Sequence, residues 1–160
     1  MPAFEDESHI AQIRDASRRL VRELGFLRPT LAETDLPPSA VHALVEIGAR
    51  GSMTAAELCN VLILEKSTVS RMIGKLIKAG ELIEGTSSQD ARVKPLSLSL
   101  KGQATLQRVD DFARSQVIEA LKRMGAETGR DLPRSLDSYA RALEVSRSEQ
   151  KTRDEENGNE

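Results

Sequence analysis

The chain has 160 residues, with 23 Lys or Arg against 25 Asp or Glu, a formal net charge of −2 and a sequence pI near 5.8. That length holds one domain with an extension, and 39% hydrophobic with 30% charged residues is the balance of a soluble, helix-rich globular protein. The charge excludes a uniformly basic nucleic-acid coat, no apolar run is long enough to span a membrane, and Cys59 as the sole cysteine excludes an internal disulfide and a Cys-based zinc site. Met1 to Arg14 carries acids and no apolar run, so it does not read as a secretory signal. A cytoplasmic protein without a membrane partner is the expectation.

Taken in order, Ser8 to Leu27 predicts a long first helix. Ile10, Ile13, Ser17, Leu20, Leu24 and Leu27 recur at steps of three and four, with Arg14, Arg18, Arg19 and Arg22 on the other sides. The Arg28-Pro29 step breaks it. A second helix starts near Pro38, where proline suits the first turn, and runs to about Ala49 with Val41, Leu44, Val45 and Ile47 inward. Thr54-Ala55-Ala56-Glu57 has the form of a capping box and opens a short third helix with Leu58, Val61 and Leu62 inward.

A few residues later comes the run Lys66 to Ala79. Val69, Met72, Ile73, Leu76 and Ile77 form one apolar stripe at i, i+3, i+4, i+7 and i+8. The opposite face holds Ser67, Ser70, Arg71, Gly74, Lys75 and Lys78, which are hydroxyls followed by cations, with no acid among them. A solvated helix ordinarily mixes both signs. A one-sign face suits a polyanion, because hydroxyls and backbone N–H groups hold phosphates and Arg reaches base edges. The third and fourth helices together read as a helix-turn-helix, and Gly80 is the natural stop.

Glu81 to Thr86 and Val93 to Ser99 predict two short strands around the polar loop Ser87-Ser88-Gln89-Asp90-Ala91-Arg92, which makes a hairpin wing. An Arg near the loop tip suits a minor groove. The alternative for Arg92 is a pair with Asp90 inside the wing. From Lys66 to Lys101 seven Lys or Arg face three acids, a balance of +4 that leaves −6 for the rest of the chain. Such asymmetry lets one face attract DNA while the remainder limits indiscriminate binding.

Ser99 or a neighbour caps a fifth helix over 101–124, Gly125 to Gly129 interrupts, and a sixth helix is predicted over 131–146. The polar stretch 147–160 has no aliphatic side chain and reads as a disordered tail. The domain division is therefore an N-terminal dimerisation helix and linker (1–36), a winged helix-turn-helix (37–100), C-terminal dimerisation helices (101–146) and the tail. The terminal helices carry more apolar stripe than a small winged helix can cover, so a two-fold homodimer is expected. Its two recognition helices would meet successive major grooves, roughly 34 Å apart.

No catalytic constellation emerges, and His9 and His42 are isolated, so an enzyme, a metal and a cofactor are not expected. Cys59, inside the third helix, reads as a small packing residue, with oxidant sensing as the alternative.

The ordered set Thr54-Ala55-Ala56-Glu57-Leu58, Ser67-Thr68-Val69-Ser70-Arg71, Leu76 to Gly80, Asp90-x-Arg92 and Leu98-Ser99-x-Lys101-Gly102 resembles the MarR family of transcriptional regulators. The resemblance covers the chain to about Ser146. It implies a mainly α fold with a small β-hairpin wing, in which the winged helix-turn-helix is flanked by dimerisation helices. It further implies a homodimeric repressor on double-stranded DNA and a crevice for a small-molecule effector. On this reading Ser67, Thr68, Ser70 and Arg71 enter the major groove; Lys66, Lys75, Lys78 and Lys94 hold phosphates; and Arg92, supported by Asp90, reaches the minor groove. Three departures stand out. Ile63 replaces the turn glycine before the recognition helix, Glu81 takes a usually apolar place, and Ala91 leaves Arg92 as the wing's single arginine. They support a second reading, a protein-interaction module that kept the winged-helix fold and lost specific DNA reading.

Overall fold

The computed structural model describes residues 6–87 and 89–157. Six helices and one hairpin follow in the order α1 (Glu7–Glu23), α2 (Pro38–Arg50), α3 (Ala55–Leu62), α4 (Lys66–Lys78), β1 (Leu82–Glu84), β2 (Leu96–Leu98), α5 (Leu100–Met124) and α6 (Ala126–Asn157). The chain divides into two compact units, Met1–Arg114 and Ser115–Glu160. The break between these units falls inside α5.

The winged helix is built as its sequence dictates. Pro38 opens α2, and Ala40, Val41, Ala43, Leu44 and Ile47 are buried along one side of it. The Thr54 hydroxyl accepts from the Glu57 N–H (3.2 Å), and the Glu57 carboxylate accepts from the Thr54 N–H (2.7 Å), completing the capping box of α3. The amphipathic stripe of α4 is buried at Val69, Met72, Ile73 and Leu76. These side chains meet Leu44, Ile47, Met53, Leu58, Leu82 and Leu96 in one core. Fully burying a Leu or Ile contributes about 1.5–3 kcal/mol, and α2, α3, α4 and both strands all contribute to this cluster.

The strands pair antiparallel with Leu82 opposite Leu98 and Glu84 opposite Leu96. Met53, just ahead of α3, exchanges both backbone hydrogen bonds with Leu96 (2.9 and 2.8 Å) and ties the helix-turn-helix to the wing. Val109 of α5 is buried in a second cluster with Val41 and Ala32, with Phe112 packed against it.

Several boundaries differ from expectation. α1 stops at Glu23, before the Arg-Pro step, because Gly25 turns the chain at φ 85°. Its apolar stripe is not buried: Ile13, Leu20 and Leu27 are exposed. In α3 Val61 is exposed and only Leu58 is fully inside. The strands are shorter than predicted, since pairing ends where Gly85 bonds the Pro95 carbonyl (2.7 Å).

The interruption after α5 is the single residue Gly125, and α6 starts at once. α6 then runs through the stretch expected as a disordered tail, as far as Asn157. Helix-forming Glu, Lys and Arg there pair along the helix, as in Lys151–Glu155 (3.8 Å), and hydroxyls bond back to carbonyls one turn earlier. Residues 158–160 and Ser88 of the expected wing loop lie outside the described residues.

Candidate nucleic-acid interface

α4 presents the charged face that its sequence promises. With Val69, Met72, Ile73 and Leu76 locked in the core, Lys66, Ser67, Ser70, Arg71, Gly74, Lys75 and Lys78 are left exposed. Thr68 is half-buried. Burial on one side thus fixes the rotation of the other. The Arg71 side chain lies back along the helix, its Nε donating to the Ser67 carbonyl (3.3 Å), so the guanidinium sits beside the first turn and its hydroxyls. Glu65 is the N-cap residue but makes no side-chain cap bond, which leaves the first N–H groups of α4 without that intramolecular acceptor.

The turn before α4 holds its shape without glycine. Ile63 adopts φ 56° and ψ 46°, the left-handed conformation that glycine takes most easily, and its side chain is 61% exposed. The Ile63 N–H bonds the Cys59 carbonyl, and so does the Leu64 N–H (3.2 Å). Ile63 therefore carries local strain while keeping the left-handed turn.

At the far end of α4, Gly80 at φ 77° carries the chain out of the helix. Its N–H bonds the Ile77 carbonyl (2.9 Å) and the Glu81 N–H bonds the Leu76 carbonyl (2.9 Å), the paired arrangement of a Schellman cap.

In the wing, Asp90 receives the backbone N–H of Arg92 at its Oδ1 (2.8 Å). The expected alternative, a pair between the Asp90 carboxylate and the Arg92 guanidinium, does not form. Asp90 shapes the turn, and among the described residues no ion pair engages the Arg92 guanidinium. Lys94 reaches across the hairpin to Glu84 (3.1 Å), and both side chains are well exposed. An exposed pair of this kind contributes little, about 0–1 kcal/mol, and yields readily to a competing anion.

Four predicted residues surround one open cavity of about 850 Å³: Lys66 and Ser70 from α4, and Arg92 and Lys94 from the wing. Ser67, Thr68, Arg71, Lys75 and Lys78 lie on α4 outside its lining. The cavity wall also includes Thr54, Asn60 and Cys59 of the α3 segment, together with Glu84. Sequence reasoning gave Asn60 and Glu84 no place here, since only pairing across the hairpin and packing of α3 on α4 bring them to this side. Cys59 is half-buried beside α4 and packs against the core. Glu57 is an exposed carboxylate in the cap of α3. Hydrogen bonds from the Thr54 backbone, then from its hydroxyl, hold its carboxyl below the usual value. Among the described residues no group of three or more His, Cys, Asp or Glu could hold a metal, and no helix is long and apolar enough to cross a membrane.

A helix-turn-helix followed by a two-stranded hairpin, with a basic exposed face on the second helix, defines a winged helix-turn-helix protein. Residues 34–93 match the model of the MarR family.

The surrounding helices share the fold. A cysteine-to-serine mutant of MarR from E. coli, in complex with operator DNA, superposes with a TM-score of 0.65 at 18% identity, covering 87% of this chain and 99% of that one. FabT from Streptococcus pneumoniae, in complex with DNA, gives 0.70 at 23%, covering 88% and 99%. BpsR from Bordetella bronchiseptica, whose DNA binding is regulated by 6-hydroxynicotinic acid, gives 0.65 at 16%, covering 81% and 98%. No curated protein matches the chain by sequence.

Proposed function

We propose that this chain is a sequence-specific, double-stranded DNA-binding repressor of the cytoplasm that acts as a homodimer on a pseudo-palindromic operator. The observation that carries the reading is the face of α4, where four cations and two hydroxyls are exposed on a helix whose other face is locked in the core. Ser67, Thr68, Ser70 and Arg71 enter the major groove, with Arg71 suited to bidentate contact with a guanine edge. Lys66, Lys75, Lys78 and Lys94 hold phosphates, and Lys94 exchanges Glu84 for a phosphate on binding. Arg92, with its guanidinium free of ion pairs among the described residues, enters the minor groove. MarR and FabT, which share the fold, are seen with DNA; BpsR, whose DNA binding responds to 6-hydroxynicotinic acid, supports release by a small aromatic acid or a similar effector.

Of the three departures behind the interaction-module reading, Ile63 keeps the left-handed turn that a glycine would supply, while Glu81 and the single wing arginine remain its support.

The test is selection of bound sequences from a random duplex library, beside a variant carrying Arg71→Ala and Arg92→Ala. The expected result is a two-fold-related motif that the variant no longer enriches. Arg71→Ala alone is expected to weaken binding to that motif by about 1–3 kcal/mol while leaving random duplex almost unaffected. Equal losses on both duplexes would refute base reading by Arg71, and no enrichment across a range of salt would refute specific recognition by the chain alone.

A further inference from the structure

Glu81 is the second residue past the C-cap of the recognition helix, a position that in a Schellman cap is ordinarily apolar and packs back on the last turn. Here it is a carboxylate, and it is buried, at 5% exposure. One of its oxygens, Oε1, lies 3.7 Å from the Lys101 ammonium, and the other, Oε2, is buried without a hydrogen-bond partner. The same ammonium donates to the carbonyl of Ala79, the C-cap of α4 (2.6 Å).

Ser99, which caps α5 by accepting the Gly102 N–H (2.9 Å), donates its hydroxyl to the Gly80 and Glu81 carbonyls. Its own N–H bonds the Glu81 carbonyl (3.0 Å). A Cβ at Gly102 would stand 2.1 Å from that carbonyl, so only glycine permits α5 to start this close. The last turn of α4 and the first turn of α5 are thereby fastened together by one charge pair, its carboxylate buried and its ammonium exposed, and a knot of backbone bonds.

We propose that Glu81 and Lys101 are positioning residues for DNA reading, in that their pair sets the pose of α4 from the first turn of α5. The pair touches no base or phosphate. A carboxylate buried for packing alone would be a poor choice, since an apolar side chain fills the same place without desolvating a charge. A charged pair instead fixes one geometry, because the ammonium must serve the Ala79 carbonyl and Glu81 together. The proposal deepens the DNA-binding reading above and rests on it for its consequence, although the fastening itself can be measured without DNA.

The experiment compares the full chain with Lys101→Arg and with the double variant Glu81→Leu, Lys101→Met, which replaces the pair by apolar groups and avoids an orphaned buried charge. Three readouts are taken: thermal melting, amide exchange without DNA, and binding to the selected and a random duplex over a range of salt. The double variant is expected to melt as the parent does. It should lose amide protection at Gly80 to Leu82 while keeping that of α2, and its preference for the selected duplex should fall about tenfold. Lys101→Arg, which keeps charge and reach, is expected to retain both protection and preference. Unchanged protection and preference in the double variant would reduce the pair to space filling and overturn the proposal. A salt slope lower by about one in the double variant would make Lys101 a phosphate contact, and would also overturn it. If the parent prefers no duplex, the DNA reading fails, and the exchange result alone then decides whether the pair holds α4. Should the double variant fail to fold, loss of protection in Lys101→Arg at an unchanged melting point would overturn the proposal, and retention would uphold it.

Discussion

The winged helix and the segment Ser115–Glu160 are both largely regular structure, yet they stand on different physics. The first closes a core within its own sequence, with Leu44, Ile47, Leu58, Val69 and Leu76 almost fully removed from water. The second contains no buried side chain among its described residues, and Val117, Leu121, Leu136, Tyr139, Leu143 and Val145 are all exposed. Local ion pairs such as Arg123–Glu119 and Arg141–Asp137 line its helices. Pairs of this kind add only about 0.3–0.5 kcal/mol each. A helix with a wide unburied apolar face is completed by another surface, and a second copy of the chain is the partner the proposed homodimer supplies.

That contrast can be broken from either side. The largest effect is expected from Leu44→Ala, which empties the centre of the winged helix and should cost about 2–5 kcal/mol in chemical denaturation. A loss below about 1 kcal/mol would mean the core is not cooperative there.

Next comes the exposed face of α6. Leu136→Glu with Leu143→Glu is expected to weaken self-association by about 2 kcal/mol or more, read by sedimentation at falling concentration, while the fold of the winged helix is retained. An unchanged sedimentation profile would place the dimer contact elsewhere.

Third is the cap of α3, where Thr54→Ala should cost about 1 kcal/mol. The cap also carries a pH dependence of fixed sign. The Glu57 carboxyl is held below its ordinary value in the folded chain. Its contribution is therefore complete above the unfolded value and is lost as pH falls through the lowered folded value. Glu57→Gln should flatten that part of the acid limb in a melting series, and an unaltered limb would assign it to other carboxylates.

The smallest effect is expected at Ile63. Ile63→Gly removes a β-branched side chain from the left-handed region and should change stability by less than about 1 kcal/mol, in the stabilising direction. A clear destabilisation would show that the exposed isoleucine makes a contact worth more than its strain.

Much of the winged helix was legible before any coordinates. The spacing of Val69, Met72, Ile73 and Leu76 marks a helix with one buried side, and the structure buries those four. Thr54 and Glu57 form the capping box their spacing announces, and Ser99 caps the next long helix. These features depend on residues three or four apart, a range over which sequence and geometry are nearly the same information.

The failures have an equally physical pattern. The extension of α6 to Asn157 was missed because that stretch has no apolar periodicity, and its helix rests on propensity and charge pairs. Val61 follows the apolar pattern yet is exposed, since α3 is too short to turn every apolar residue inward. The strand ends and the break after α1 were set by single backbone events at Gly85 and Gly25.

The sequence by itself determined the local elements, the apolar side of α4 and the balance of charge on its other side. Tertiary structure alone decided which charges are committed. Lys94 is taken by Glu84 across the hairpin, Lys101 by Glu81 and the end of α4, and Arg92 is left without an ion pair among the described residues while its backbone is held by Asp90. Glu81 and Lys101 lie 20 residues apart in the chain. Neither residue type nor local spacing carries that distance. It is fixed only when the Schellman cap, the hairpin register and the glycine at position 102 bring the end of one helix against the start of another.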